Sequence, residues 1–198
     1  MKSPVNGSET VLGSQVRSQL GTTDISRSTM PEAGRNAAKR NFILQLGFED
    51  PAPAVVPLQY SALVFQPKVV LIGVVAGILF QSPAIFAALG ALLWWSALLP
   101  KLNLFNALYN RTIGSRPGAF RLGPSPAPRR GAETEAGAVA LTIALLIHGG
   151  FNLAYVAEAI FLAAALAVLI GSFCTGAFTY HLLRGRWTFA LQTLPWAR

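Results

Sequence analysis

The stretch that decides the fold runs from residue 67 to residue 99 and reads PKVVLIGVVAGILFQSPAIFAALGALLWWSALL. It holds two apolar runs, and its one charged residue, Lys68, lies at the edge of the first run. Between the runs, Ser82 suits the N-cap of a helix and Pro83 suits the first helical turn. Runs of this length and apolarity are typical of helices that cross a membrane. We therefore predict two membrane helices, over residues 67–80 and 83–99.

The composition of the whole chain favours the same environment. Hydrophobic residues make up 53% of the sequence and charged residues only 12%, whereas a soluble domain has about 25% charged residues to cover its surface. The formal net charge of +8 could indicate nucleic-acid binding. However, the Lys and Arg residues lie almost wholly outside the apolar runs and do not alternate with aromatic residues as in a nucleic-acid groove. We therefore expect a lipid bilayer around the protein and no nucleic acid as partner.

Two further apolar segments complete the predicted fold. A third helix is expected over residues 136–148, where two glycines end it, and a fourth over about residues 153–180. Residues 101–135 form a polar loop with six Lys or Arg residues and a Pro-rich, extended centre. The prediction is an all-α protein, an integral membrane bundle of four transmembrane helices. Its parts are an N-terminal polar extension over 1–56, the membrane domain over 57–186 and a tail over 187–198.

Two segments allow more than one interpretation. The stretch 58–80 is interrupted at Pro67, so the first membrane helix either starts there or runs through with a kink. Starting at Pro67 leaves about 14 residues, or about 21 Å, which is short for a bilayer core of about 30 Å; this favours the kinked helix. Residues 31–48 form either a loosely ordered linker or a short helix on the membrane surface. One side of that helix would carry Ala37, Ala38, Phe42, Ile43 and Leu46.

The distribution of basic residues predicts the orientation in the membrane. All 16 Lys and Arg residues except Lys68 fall in the N-terminal region, the 101–135 loop or the C-terminal tail. The short turns near Ser82 and Asn152 contain none. Because basic segments that flank membrane helices stay in the cytoplasm, we expect both termini and the long loop to be cytoplasmic. The chain is thus predicted to be a multi-pass protein of the bacterial cytoplasmic (inner) membrane.

Few residues of the apolar segments could carry chemistry. Cys174 is the only cysteine, which excludes an intramolecular disulfide. The predicted topology puts His148 and His181 at opposite faces of the bilayer, about 30 Å apart. His148 could pair with Glu158, or it could bind the magnesium of a pigment alone. The alternative is that His148 only forms a hydrogen bond to backbone or water. Glu158 could serve as a proton relay. We expect no complete catalytic site, no metal and no cofactor.

Small residues at a spacing of four mark predicted helix-packing faces, because they let helix backbones approach closely in lipid. These residues are Gly73, Gly77, Ala87, Ala91, Ser172 and Gly176. The pattern leaves open whether the faces meet other helices of the chain or a partner. Basic residues near the predicted cytoplasmic face are expected to contact a partner or the anionic headgroups of the lipid bilayer. These residues are Arg35, Lys39, Arg40, Arg129 and Arg130.

Two segments carry a resemblance to a known family. One extends from Gln59 to Asn110, and the other, residues 171–180, reads GSFCTGAFTY. Over about residues 57–186 the chain resembles a family of uncharacterised bacterial four-helix membrane proteins, a domain of unknown function distantly similar to the DoxX-like membrane proteins. Many members carry a Cys-x-Gly-Cys-like motif in the second segment, which implies thiol redox work. Here Cys174 matches the first cysteine and Ala177 replaces the second, and a lone thiol cannot close a local dithiol/disulfide cycle.

The sequence as a whole favours a non-catalytic accessory or scaffolding subunit of a larger bacterial membrane complex, respiratory or photosynthetic. Its partners are then other membrane-protein subunits. The N-terminal extension is expected to fold on such a partner, because its composition is typical of disorder when the chain is alone. Two alternatives stay open. One is a membrane thiol-redox partner that uses Cys174, and the other is a pigment-binding subunit that uses His148.

Overall fold

The computed structural model describes residues 34–197, and every regular element in that range is a helix, which confirms the predicted all-α class. The chain divides into two units between Asn36 and Ala37. Of the first unit, residues 34–36 are described and are helical. The predicted folding of the N-terminal extension on a partner concerns residues that lie mostly outside the described range.

The second unit begins with a helix over residues 37–45, named α1. By length and apolar composition, two helical stretches of this unit could cross a membrane, Val56–Phe80 and Leu153–Gly171. A third apolar helix is shorter, with 16 residues. The helices that follow α1 are α2 (Val56–Leu63), α3 (Phe65–Phe80), α4 (Pro83–Leu98), α5 (Leu104–Thr112), α6 (Ala127–His148), α7 (Leu153–Gly171), α8 (Thr175–Leu183) and α9 (Trp187–Gln192).

The first apolar stretch is helical on both sides of Val64, so its helix does not begin at Pro67 as the shorter alternative would have it. α2 and α3 meet at Val64, and α3 begins at Phe65, two residues before the predicted start. Pro67 falls in the first turn of α3, where backbone N–H groups have no partner within the helix and a missing donor costs little. The Lys68 N–H donates to the Val64 carbonyl at 3.1 Å, so helical hydrogen bonding continues past the junction.

The break between α3 and α4 follows the local sequence. Gln81 ends α3 in the left-handed region, with a φ of 45°. Ser82 is the N-cap of α4, and its Oγ accepts a hydrogen bond from the Ile85 N–H at 3.4 Å. The turn therefore lies where the capping residues predict it, and α4 ends one residue before the expected position at 99.

The predicted polar loop over residues 101–135 contains a helix of its own. Leu104–Thr112 form α5, and the side chain of its N-cap, Asn103, accepts a hydrogen bond from the Asn106 N–H at 3.0 Å. One face of α5 is buried through Phe105, Asn106 and Tyr109. An Asn N-cap satisfies an N–H group that has no partner within the helix, which explains why a short polar segment is helical here.

The third predicted membrane helix starts nine residues earlier than expected, at Ala127 rather than at residue 136. Pro128 lies in the first turn, where its fixed φ favours helix initiation. Arg129 and Glu133 stand four residues apart on one face of α6 and form an ion pair. An apolar run does not predict helix in these first turns, because their residues are polar.

The predicted helix over residues 153–180 is two helices, because it breaks after Gly171. Ser172 has a φ of 52°, in the left-handed region, and α8 restarts at Thr175. The Ser172 hydroxyl shares a hydrogen bond of 2.8 Å with the Tyr60 hydroxyl, and the Cys174 N–H donates to the Gln45 side-chain oxygen at 2.9 Å. These partners lie 112 and 129 residues away in the sequence, so the contacts that hold the break are not local.

Two groups of buried apolar side chains form the core of the second unit. One joins α3, α4, α6 and α7 around Val74, Phe86 and Ile143. The other joins α1 to α2 and α8 and includes Phe42 and Ile43, which are 1% and 0% exposed. The prediction of a polar extension up to residue 56 is therefore wrong for α1, whose apolar side chains pack into the core.

Helices α4 and α6 approach closely through glycines. A Cβ added at Gly90 would lie 2.7 Å from Leu141 Cγ and 3.0 Å from the Gly137 carbonyl oxygen. A Cβ at Gly137 would lie 2.3 Å from Trp94 Cδ1. The Trp94 Nε1–H donates to the Thr134 carbonyl at 3.1 Å. The close packing and this hydrogen bond place the polar first turns of α6 beside the end of α4.

Candidate functional site

A cavity of about 560 Å³ lies within the second unit, bounded by residues of α1, α2, α3, α4, α6 and α7 and of the start of α8. Most of its wall is apolar, and α7 contributes four alanines, Ala163, Ala164, Ala165 and Ala167. A well-formed, mostly apolar cavity with a few convergent polar groups is the first place to look for a ligand site. The polar lining residues are Gln66, Arg129, Glu133, Glu135, Cys174 and Thr175.

Arg129 is the centre of a buried polar network at this cavity, and it is only 4% exposed. Its Nη2 donates to Gln66 Oε1 at 2.6 Å and to Asn106 Oδ1 at 2.9 Å. Its Nε lies 3.4 Å from Glu133 Oε1. Among the described residues, its Nη1 has no hydrogen-bond partner. The guanidinium therefore joins α3, α5 and α6 and keeps one donor unpaired.

Glu133 lies one turn further along α6 and balances the charge of Arg129. Its Oε1 accepts hydrogen bonds from Asn103 Nδ2 at 3.2 Å and from Ser125 Oγ at 3.5 Å. Its Oε2 is buried and has no partner between residues 34 and 197. A buried ion pair loses the hydration of both charges, and further hydrogen bonds are needed to offset that loss. The surrounding amides and hydroxyl supply such bonds, and one acceptor stays unpaired.

Cys174 is the N-cap of α8 and lines the same cavity. Burial raises the pKa of its thiol to about 11, and the Ala177 and Gly176 amides lower the pKa only in part. Because the thiolate is the nucleophilic form of cysteine, the raised pKa lowers the reactivity of this thiol near neutral pH. Ala177, where the resemblance seen in the sequence predicts a second cysteine, is fully buried.

A second buried polar group joins α1 to α8. His181 Nε2 lies 2.9 Å from the Gln45 carbonyl oxygen, and the side-chain oxygen of Gln45 accepts from the Cys174 N–H. The Phe189 ring stands edge-on to the His181 ring, with centroids 4.7 Å apart. Within the described part of the chain, His181 Nδ1 and Gln45 Nε2 have no partner. His181 thus links α8 to α1 in the core and packs against Phe189 of α9.

The predicted helix-packing glycines of α3 face α4. A Cβ at Gly73 would lie 3.3 Å from Leu89 Cδ1, and a Cβ at Gly77 would lie 2.6 Å from Phe86 Cε2. Both positions are therefore used within the chain. The sequence does not predict the close contact of α4 with α6. Its two glycines, Gly90 and Gly137, lie on different helices, and neither has a small residue four positions away.

The other predicted packing residues differ in their surroundings. A Cβ at Gly176 would lie 2.8 Å from the Ala132 Cα of α6. Ser172 bonds to α2 through Tyr60. Ala87 packs against the core, whereas Ala91 is exposed.

Three of the predicted basic contact residues lie on the surface of the described chain. Arg35 is exposed. Lys39 Nζ lies 5.6 Å from the centroid of the Tyr60 ring. Arg40 forms an exposed ion pair with Asp50, and its guanidinium holds the pKa of that carboxyl below its usual range.

The other two basic residues are engaged inside the chain. The prediction that Arg129 contacts a partner or lipid is wrong, because the earlier start of α6 turns this side chain into the buried network. Arg130 Nε donates to the Ala97 carbonyl at 2.7 Å, so it fastens α6 to the end of α4.

His148 and Glu158 occupy different environments. His148 is exposed at the last residue of α6. Glu158 is 3% exposed, and each of its carboxylate oxygens accepts from Gln81 Nε2 at 3.2 Å. Glu158 therefore pairs with Gln81 rather than with His148. Within residues 34–197, no group of three or more His, Cys, Asp or Glu side chains could hold a metal ion.

Comparison with known proteins points to a family. The family described as a domain of unknown function, DUF4395, matches residues 61–185. No curated protein and no solved structure matches the chain. The matched range is close to the span of the resemblance seen in the sequence and includes both the buried network of α6 and Cys174. The likeness to DoxX-like proteins and the two-cysteine motif stay predictions.

Proposed function

The chain belongs to the DUF4395 family, a domain of unknown function, and we propose that it is a multi-pass protein of the bacterial inner membrane. In this proposal α3, α4, α6 and α7 cross the bilayer, with the polar first turns of α6 at its cytoplasmic interface. Support comes from the exposure of the two longest apolar stretches. Only 33% of the most apolar window of Val56–Phe80 is buried, and 28% of that of α7. A core helix of a soluble protein would be mostly buried, whereas a membrane helix turns its outer side to lipid.

Large apolar side chains lie on the outer faces of these four helices. A soluble monomer rarely exposes an apolar patch of more than a few hundred Å², and lipid would cover this one. The exposed side chains include Ile72, Val75, Leu79, Leu92, Leu98, Leu145, Val156, Ile160 and Ile170.

Charge supports an orientation with both termini in the cytoplasm. The turn after α3 and the turn over residues 149–152 contain no Lys or Arg. The opposite helix ends carry the basic residues, as cytoplasmic segments do. Those that follow α4 are Lys101, Arg111, Arg116, Arg121, Arg129 and Arg130, and those that follow α7 include Arg184 and Arg186.

In this membrane the protein serves as a non-catalytic accessory subunit of a larger complex, with other membrane-protein subunits as partners. The observation that carries this role is an apolar surface outside the four membrane helices. α9 buries Ala190 and leaves Trp187 and Leu191 61% and 55% exposed, and Trp196 nearby is 73% exposed. Exposed apolar groups of this size mark contacts with proteins or membranes, and tryptophan is enriched among the residues that dominate protein interfaces.

Substitutions on α9 test the subunit role. Trp187→Ser combined with Leu191→Ser should leave the protein inserted in the membrane and release it from the subunits with which it migrates on native gels. The matched control is Thr188→Ala with Gln192→Ala, two exposed polar positions of the same helix, and it should keep co-migration. If the apolar double variant co-migrates like the wild type, or if the wild type migrates alone, the subunit role is wrong.

The two alternative functions draw less support from the site. The raised pKa of Cys174 disfavours thiol exchange, which needs a thiolate. His148 is not among the residues that line the cavity. A mixed disulfide trapped through Cys174 in wild-type membranes would favour the redox role, and a coloured purified protein would favour the pigment role.

A further inference from the structure

The cavity beside Arg129 and Glu133 combines an apolar wall with a small polar end. We propose that it binds a lipid-soluble molecule with an apolar body and an uncharged head group that carries a carbonyl and a hydroxyl. This site goes beyond the subunit role above, because it depends on the fold of the second unit and not on any partner.

The apolar body of the ligand fits the wall formed by α7 and α6. Alanines at four positions of α7 keep the space open, and Val139 and Phe161 line it beside them. The volume of about 560 Å³ lies within the range of about 300–1,000 Å³ that is usual for small-molecule sites. An apolar chain that enters this space from lipid is held by van der Waals contacts with the wall.

The opening of the cavity lies between α6 and α7. Three residues that line the cavity are also exposed on the surface, Glu135 of α6 and Ile160 and Ala163 of α7. A ligand that enters here passes the carboxylate of Glu135. An anionic head group would be repelled by that carboxylate, whereas an uncharged head group would not.

The polar end selects a head group that both accepts and donates a hydrogen bond. Arg129 Nη1 is a donor without a partner and Glu133 Oε2 is an acceptor without a partner among the described residues, and both atoms are shielded from solvent. Buried polar atoms left unpaired are costly, and both residues line the cavity, so a head group that reaches and pairs with both atoms would be bound selectively. A carbonyl can accept from Nη1, and a hydroxyl can donate to Oε2.

The charge of the head group follows from the ion pair. Arg129 and Glu133 balance each other, with Nε and Oε1 3.4 Å apart. A phosphate would need an uncompensated cation at this depth, because a buried charge without a counter-charge is strongly disfavoured. The pair therefore favours a neutral head group over an anionic one.

Binding of two probes to the full-length protein in detergent tests the proposal. The probes are 1,2-dioctanoylglycerol, which carries ester carbonyls and a hydroxyl, and dioctanoyl phosphatidic acid, which has the same chains and an anionic head. Titrations followed by native mass spectrometry should show that the wild type binds the neutral probe about tenfold or more tightly than the anionic one. Equal binding, or tighter binding of the anion, would overturn the assignment of the head group.

Two α7 variants test whether the probe occupies this cavity. Ala164→Phe fills the cavity from its wall and should weaken binding of the neutral probe about tenfold or more. Ala159→Phe is the control, because Ala159 is exposed on the same helix and does not line the cavity. If both variants bind as the wild type does, or if both lose binding equally, the ligand does not lie in this cavity.

A third variant tests the role of the ion pair. Glu133→Gln keeps the size of the side chain and removes its charge, so the charge of Arg129 is no longer balanced. The preference should then shift toward phosphatidic acid by about tenfold, since a charge-assisted hydrogen bond is stronger than a neutral one. An unchanged ratio of the two affinities in a folded Glu133→Gln protein would show that the head group does not meet this pair. If this variant does not fold, the comparison of Ala164→Phe with Ala159→Phe still decides the proposal.

Discussion

The close contact between α4 and α6 predicts that Gly90→Ala destabilises the protein. The added Cβ would lie 2.7 Å from Leu141 Cγ and 3.0 Å from the Gly137 carbonyl oxygen. The carbonyl belongs to the backbone of a packed helix, so the helices themselves must move apart. Overpacking of this kind costs about 1–3 kcal/mol, whereas replacing a helical glycine by alanine gains about 0.5–1 kcal/mol. The net expectation is a loss of between about 0 and 2.5 kcal/mol of unfolding free energy.

Gly73→Ala is the matched control for this substitution. Its added Cβ would lie 3.3 Å from Leu89 Cδ1, the end of a side chain that can turn aside, so the gain in helix propensity should prevail. Because that gain is shared, the difference between the two variants reports the clash alone, about 1–3 kcal/mol. The measurement is reversible unfolding in mixed micelles by titration with dodecyl sulfate, followed by circular dichroism. Equal stability of Gly90→Ala and Gly73→Ala, within about 0.5 kcal/mol, would refute the close approach of α4 and α6.

Two further predictions concern the thiol and the topology. Alkylation of Cys174 by iodoacetamide should be slow at pH 8 in the folded protein and accelerate toward pH 11, because burial raises the thiol pKa from 9.0 to about 11; equal rates for folded and dodecyl-sulfate-unfolded protein at pH 8 would contradict this. In a Cys174→Ser background, a membrane-impermeant maleimide applied to intact cells should label Asn152→Cys and leave Gly123→Cys unlabelled, as the charge asymmetry requires. The opposite labelling pattern would reverse the proposed orientation.

The parts of the fold that the sequence predicts are those that local chemistry controls. The break before α4 follows from Ser82 as an N-cap with proline next to it, and the structure has this turn in the predicted place. The break after α7 depends on Tyr60 and Gln45, which lie more than a hundred residues away. The weak helix formers over residues 171–176 permit a break there, but the contacts that hold it come from distant residues.

The buried network around Arg129 could not be predicted from the sequence for the same reason. Arg129 lies in a basic segment, and its sequence surroundings predict a contact with lipid or a partner. Its partners Gln66 and Asn106 lie 63 and 23 residues away, and only folding brings them together. The spacing of Arg129 and Glu133, four residues apart, is the one local signal of the network. That signal needs a helix at residues 127–135, which the polar composition of this segment conceals.

Cys174, the residue of the predicted cysteine motif, lies at the cavity, and its surroundings favour binding over redox chemistry in this chain. Cys174 lines the cavity, whereas Ala177, one turn further along α8, is buried in the core. A local disulfide needs a second sulfur within bonding reach, and alanine at this position provides none. Arg129 and Glu133, by contrast, each keep one polar atom unpaired within the described chain, so the same wall retains groups that can recognise a ligand. A site with free hydrogen-bonding groups and no thiol pair can bind a molecule, but it cannot oxidise or reduce that molecule through a local disulfide.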